Sequence, residues 1–198
     1  MAGLRELHKE SRRKAICSSA LKLFAVHGYA GTTVGAIAAD AKVSPATVFN
    51  YFKTKSDILL EVIDAADQQA FVQIGNKKAL WDDPVTALVE VDRLIALYEC
   101  EVLPVNVWRE VLPAWSISPP LQLTKLNEKI ISLIIEVLVS LKEKNLINQG
   151  TDVVFVAGVL NSYAISRFRS EVQSGDFCID TRVAHMTAVV KLVIHGIR

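Results

Sequence analysis

The segment that most constrains this chain is Thr32–Lys55, TTVGAIAADAKVSPATVFNYFKTK, which reads as a short helix, a tight turn and a second short helix. Thr32 and Thr33 are N-cap candidates. Val34, Ile37, Ala38 and Ala41 follow at the i, i+3, i+4, i+7 spacing of one helical face. Lys42-Val43 makes the turn. Ser44 then caps the second helix, and Pro45 stands at its first position, where a missing N–H is harmless. Val48 and Phe52, four apart, face inward and leave Ala46, Thr47, Asn50, Tyr51 and Lys53 outward. A second short helix held at a fixed angle is a means of reaching base edges in the major groove. The segment alone is also compatible with a plain helical hairpin in an all-α core.

The flanks narrow the choice. Arg12–Tyr29, RRKAICSSALKLFAVHGY, is an amphipathic helix with Ile16, Ala20, Leu23 and Phe24 on one face and Gly28 as its expected C′ residue. Lys55-Ser56-Asp57 opens another helix, with Ser56 the expected cap and Asp57 favourable at its positive end. In order and without a gap, the chain shows Phe24…Gly28-Tyr29, Thr32-Thr33, Ile37-Ala38…Ala41, Val43-Ser44…Thr47, Phe49, Tyr51-Phe52 and Lys55. That run resembles the tetracycline-repressor (TetR) family of one-component transcriptional regulators and covers the first quarter to third of the chain. Two residues depart from the family pattern. Lys42 stands where the family usually has Gly, and a positive φ there costs a non-Gly residue about 1 kcal/mol. Phe49 stands where the family often has Tyr, so one hydroxyl able to reach a phosphate is missing.

Charge is distributed to match. The chain carries a formal charge of only +1, yet residues 1–55 hold nine Lys and Arg against three acids, while the remainder holds 13 basic and 18 acidic residues. A basic head on an acidic body suits a protein that meets DNA at one end. With 198 residues, 51% of them hydrophobic, the chain can bury a substantial core. Cys17, Cys100 and Cys178 are odd in number and widely spaced, so each is expected to be a small buried hydrophobe and none a disulfide partner. His8, His27, His185 and His195 form no pair at metal-ligand spacing, so neither a metal nor a cofactor is expected. No apolar stretch is long enough for a leader or a membrane span, and a cytoplasmic location is expected.

Beyond the helix pair the pattern stays helical. Ile58, Leu59, Val62, Ile63, Ala66 and Ala70 line a long helix ending near Gly75-Asn76. Trp81-Asp82-Asp83-Pro84 restarts the pattern, with Asp83 as cap. Pro104, Pro113 and Pro119-Pro120 bracket a short helix holding Val107, Trp108 and Leu112. In Leu121–Asn145 the polar residues Lys125, Lys129, Ser132, Glu136, Ser140 and Glu143 form one narrow stripe, so this helix is expected at the centre of the body. Residues 188–197, AVVKLVIHGI, are apolar on nearly all sides and must cover something besides their own core; a partner subunit is the economical choice. The family resemblance implies the same, a homodimer through the last two helices.

The expected fold class is all-α: an N-terminal three-helix helix-turn-helix DNA-binding domain over residues 1–55 and a larger helical ligand-binding and dimerisation domain over residues 56–198. Double-stranded DNA is the expected partner, read as a near-palindrome. Thr47, Tyr51 and Lys55 are assigned to phosphates, Ala46 and Asn50 to base edges, and Thr33 and Lys42 to further phosphate contacts, with the capping Ser44 counted among the DNA-binding residues. The resemblance also implies a small-molecule effector in the body. Tyr98, Trp108, Trp115, Phe155, Tyr163 and Phe168 are the aromatic candidates to line its pocket, and Asp92, Arg93 and Arg109 lie beside apolar faces, each expected at the surface. The competing class is a helical interaction module, or a cofactor-free helical enzyme, that binds no DNA. No nucleophile, metal or phosphate-loop motif supports an enzyme.

Overall fold

The computed structural model describes residues 3–77 and 82–196; Trp81 and Ile197 lie outside the described residues. Among these, the chain forms nine helices: α1 (Leu4–Gly31), α2 (Val34–Asp40), α3 (Pro45–Tyr51), α4 (Lys55–Lys77), α5 (Pro84–Val102), α6 (Val105–Ile117), α7 (Leu121–Glu143), α8 (Val153–Ser174) and α9 (Ile179–Gly196). They divide into two compact units. The first holds the chain up to Ala65 together with Val102–Ser118, and the second holds Ala66–Glu101 and the chain from Pro119 on. Helix α4 therefore runs from one unit into the other, and α6 folds with α1–α3 although α5 separates them in sequence.

In the first unit α1 packs against α2 and α6, and α2 against α3. Ile16, Ala20, Phe24, Ile37, Ala38, Val48, Phe52, Ile58 and Leu59 are buried, as their spacing requires. Burying a side chain such as Phe24 contributes about 2–3 kcal/mol. The caps are local. The Thr33 hydroxyl accepts the Ala36 N–H at 3.1 Å, and the Ser44 hydroxyl accepts the Thr47 N–H at 3.1 Å. At α4 the cap is Thr54 rather than Ser56: its hydroxyl accepts the Asp57 N–H at 3.1 Å while the Asp57 carboxylate accepts the Thr54 N–H at 2.8 Å. This reciprocal box satisfies two otherwise unpaired donors. Gly28 differs from the expectation as well. At φ 72°, ψ 173° it is a kink, after which the chain makes one more turn to Gly31. Helix α6 likewise continues through Pro113 to Ile117 instead of stopping there.

The second unit packs α7 on α8 and α8 on α9. Its core runs through Ala70, Ile74, Leu88, Val91, Ile134, Val137, Leu138, Leu160, Met186, Val190 and Ile194. The Asp83 carboxylate accepts the Thr86 N–H at 2.7 Å, and Asp152 caps α8 through the Val154 and Phe155 N–H groups. Helix α7 buries Leu126, Ile130, Ile134, Val137, Leu138 and Leu141, and packs Ile131, Leu133 and Ile135 more loosely against the same core. Asp92 is buried where the sequence placed it at the surface. Arg182 of α9 donates to both of its oxygens, at 2.6 and 2.8 Å, and to Glu171 of α8 at 2.9 Å. Cys178 is exposed, against expectation, whereas Cys17 and Cys100 are half-buried and burial pushes both thiols up to about 12. No helix among the described residues is long and apolar enough to cross a membrane.

Candidate nucleic-acid interface

The turn between α2 and α3 is closed by backbone hydrogen bonds, Val43 N–H to Ala38 O at 2.9 Å and Lys42 N–H to Ala39 O at 3.2 Å. This is the 6→1 closure of a Schellman motif, whose C′ residue takes a left-handed conformation. Lys42 occupies that position at φ 55°. The strain anticipated from its place in the sequence is thus present in the backbone.

From this turn α3 projects with Val48 and Phe52 buried, at 1% and 3% exposure, and its other side open. Ala46 and Asn50 are exposed, Thr47 and Tyr51 half-buried, and Lys42 and Lys53 exposed at either end. The Thr47 hydroxyl lies 2.9 Å from that of Ser44, so the α3 cap and a phosphate candidate share one hydrogen bond. Sequence reasoning passed over Phe49 as a contact. It is 54% exposed on this same helix. The signal was available, since Phe49 is one step, about 100°, off the Val48–Phe52 line and cannot share its burial.

Electrostatics favour an anion at this end. Asp40, the only acid between Glu10 and Asp57, accepts from Lys22 at 2.5 Å, and this bond holds its carboxyl below the ordinary range. Arg13 is engaged by Glu61 through two bonds of 2.6 Å and lies 5.2 Å over the Phe52 ring. Lys55 is engaged too. Its ammonium donates to the carbonyls of Tyr29 and Thr32, the latter at 2.8 Å, and sits 4.1 Å over the Tyr29 ring. Desolvation in this position lowers its pKa. Of an ammonium's three donors, two are therefore committed to backbone within the unit.

The six aromatic pocket candidates do not gather in one unit. Trp108 and Trp115 are buried on α6 in the first unit, edge to face with ring centroids 6.5 Å apart. Tyr98 and Tyr163 pack partly buried against the core of the second. Phe168 lies there under Arg182 and against Phe177, while Phe155 is 67% exposed. Phe155 lines an open groove of about 510 Å³ with Val156, Val159, Leu192, Val193 and the Asn148–Asp152 loop. Arg93 is held by Glu90 through bonds of 2.6 and 2.8 Å, and Arg93 together with Lys77 keeps the Glu90 carboxyl down at about 2.

The family model described as bacterial regulatory proteins, tetR family, matches residues 16–62, from α1 to α4. An HTH-type transcriptional regulator of Bacillus subtilis, YuxN, is 37% identical over 90 residues, 46% of this chain and 30% of that protein. The regulator TcmR of Streptomyces glaucescens is 34% identical over 86 residues, 43% of this chain and 38% of that one. The chain thus spans only about a third of the length of these curated relatives, which are regulators and not enzymes. Similarity of fold extends further. A TetR-family structure from Syntrophomonas wolfei matches with a TM-score of 0.75 at 19% identity, over 95% of this chain and 97% of that one. FadR of Thermus thermophilus, a TetR-family repressor in complex with lauroyl-CoA, matches with 0.69 at 22% identity, over 90% and 92%. The matching segment falls on the capped helix pair: residues 16–62 carry a segment of the tetR family of bacterial regulatory proteins, and the fold through α9 is similar to that of TetR-family structures.

Proposed function

We propose that the chain is a DNA-binding transcriptional regulator, acting as a repressor, that reads a near-palindromic operator as a homodimer and is released by a small apolar or aromatic ligand. The observation that carries the reading is the open side of α3: a seven-residue helix, capped by Ser44 and anchored by Val48 and Phe52, that exposes Ala46, Phe49 and Asn50 after Pro45, with Lys42 and Lys53 flanking them. In this reading Asn50 pairs with an adenine edge, and Ala46 and Phe49 meet thymine methyls. Thr33, Lys42, Thr47 and Tyr51 hold phosphates, and Lys55 serves chiefly as a brace. Residues 1–55 carry the reading role and residues 56–198 the effector and dimer roles, with α6 lending support to the head.

Dimerisation is supported by an apolar strip on α8 and α9, where Val154, Phe155, Val159 and Leu192 are 41–75% exposed. A twofold pairing through it sets two recognition helices one DNA turn apart, about 34–36 Å or a multiple of it. The effector is the least specified part. Tyr98 and Tyr163 are the candidates retained for its pocket, and the lauroyl-CoA complex of the Thermus relative supports an apolar ligand.

Selection of bound fragments from genomic DNA tests the proposal. Enrichment of a near-palindrome supports it, and failure to enrich any site overturns it. On the enriched site Asn50→Ala is expected to relax preference at one base pair, at a loss of about 1–3 kcal/mol. Equal weakening on operator and unrelated duplex rules out a base-reading role for Asn50.

A further inference from the structure

The end of α1 past its kink, and the turn into α2, are held by two side chains, one of them from a helix eighty residues further along the chain. The kink at Gly28 brings the backbone so near Glu110 of α6 that a Cβ on residue 28 collides with the carboxylate. One oxygen of that carboxylate accepts the Ala30 N–H at 2.7 Å. Lys55 of α4 holds the Tyr29 and Thr32 carbonyls. The Thr32 hydroxyl closes the turn by donating to Gly28 O at 2.8 Å. The next residue, Thr33, caps α2.

Backbone groups of Gly28, Tyr29, Ala30 and Thr32 are thus all fixed immediately before the helix pair begins. Helices α2 and α3 have seven residues each, too short to hold a direction alone. Helix α2 packs on α1 and α3 on α2, so α3 inherits its angle from where α2 starts. We propose that Glu110 is a positioning residue for DNA reading: by fixing the Gly28–Ala30 turn it sets the angle at which α3 presents Ala46, Phe49 and Asn50. Glu110 has no phosphate to touch, because a carboxylate is repelled there; it acts through the turn. The inference rests on the proposed reading of duplex DNA by α3.

The test starts from a near-palindrome that the wild-type chain enriches from a randomised duplex pool. Glu110→Ala is expected to bind that site about fivefold more weakly, the worth of one hydrogen bond. Its affinity for unrelated duplex and its salt slope stay unchanged, because no phosphate contact is lost. Glu110→Gln retains an acceptor for the Ala30 N–H and recovers most of the loss. Gly28→Ala weakens binding further in the wild-type chain than in the Glu110→Ala background, where the collision is gone. Glu110 is exposed, so its truncation leaves no cavity, and thermal melting of each variant checks that the fold is kept. Wild-type affinity in Glu110→Ala overturns the role of Glu110, as does an equal loss on unrelated duplex or a Gln variant as weak as the Ala one. If the wild-type chain enriches no palindrome, the reading of DNA falls and the role of Glu110 with it.

Discussion

Both units contain helix caps and ion pairs, but the most distinctive polar groups of each do different work. In the first they hold backbone, in partly exposed places: Lys55 grips two carbonyls, Glu110 an N–H, and Thr33, Ser44 and Thr54 cap helices. In the second, the distinctive group is a cluster of side chains that hold one another away from water. Arg182, 3% exposed, binds Asp92 and Glu171, 8% and 4% exposed, and joins α5, α8 and α9 through a single guanidinium. The Ala164 carbonyl takes a further donor at 3.1 Å, and Arg167 reaches Glu171 at 2.7 Å. Backbone clamps set the angle of short elements at modest energy. A buried ion cluster specifies which helices meet, and its loss is severe because charge is stranded in the core.

The largest effect follows from that contrast. Arg182→Met is expected to lower the unfolding free energy by about 3–5 kcal/mol, because Asp92 is left buried without its cation and Glu171 keeps only Arg167. Urea denaturation measures it, and a loss under about 1 kcal/mol would show that water reaches the cluster. A second test uses protons. Loss of water around its carboxyl, followed by the nearby Asp67 carboxylate of α4, pushes Glu99 of α5 well above the ordinary range. Burial raises Asp92 as well, against the pull of Arg182. A carboxyl with a raised folded-state pKa contributes stability that is full below the ordinary carboxylate range, near about 4, and is lost as pH rises through the raised value. Glu99→Gln cannot ionise, so its melting temperature is expected to gain on the wild type as pH increases. A constant difference at all pH values would mean that Glu99 is already ionised in the folded chain.

Lys55 is the hinge of the comparison, because sequence and structure give it different work. At the end of the helix pair it reads as a phosphate contact; in the fold its ammonium is committed to Tyr29 and Thr32. Lys55→Ala is expected to destabilise the chain by about 1–2 kcal/mol and weaken operator binding, with the salt slope kept. A slope reduced by about 1 at unchanged stability restores the phosphate role.

The same residue marks where the local pattern of the sequence stops determining what a side chain touches. Caps and faces within one element were legible: Thr33, Ser44 and Asp83 cap as their sequence positions dictate, and Val48 with Phe52 goes inward. These depend on neighbours three or four residues away. Some local readings failed by a residue or two, since Thr54 and not Ser56 caps α4 and α6 runs on through Pro113; the larger failures need partners far off in the chain. Asp92 looks like a surface acid until Arg182 is seen ninety residues later. Glu110 carries no local sign that it will meet Ala30. The aromatic residues were legible as apolar but not by unit, because α6 leaves its sequence neighbours to join the head.

The smallest effect compares the units at one shared motif. Asn145 follows α7 at φ 56°, with the Leu146 N–H on Leu141 O at 2.9 Å, the same closure that Lys42 makes after α2. Neither has the Gly that a left-handed C′ position favours. Asn tolerates this region because its short side chain finds local hydrogen bonds, and here its Oδ1 accepts from Gln149 Nε2 at 3.0 Å. Lys has no such compensation. Lys42→Gly is therefore expected to stabilise the chain by up to about 1 kcal/mol, and Asn145→Gly by no more than a few tenths, about 0.3 kcal/mol or less. If Lys42 also holds a phosphate, Lys42→Gly will melt higher yet bind DNA with a slope smaller by about 1. A more stable variant with unchanged salt dependence would show the strain to be unrelated to binding. A less stable one would mean that the Lys42 side chain supports the turn itself, as the Asn145 side chain supports the turn after α7.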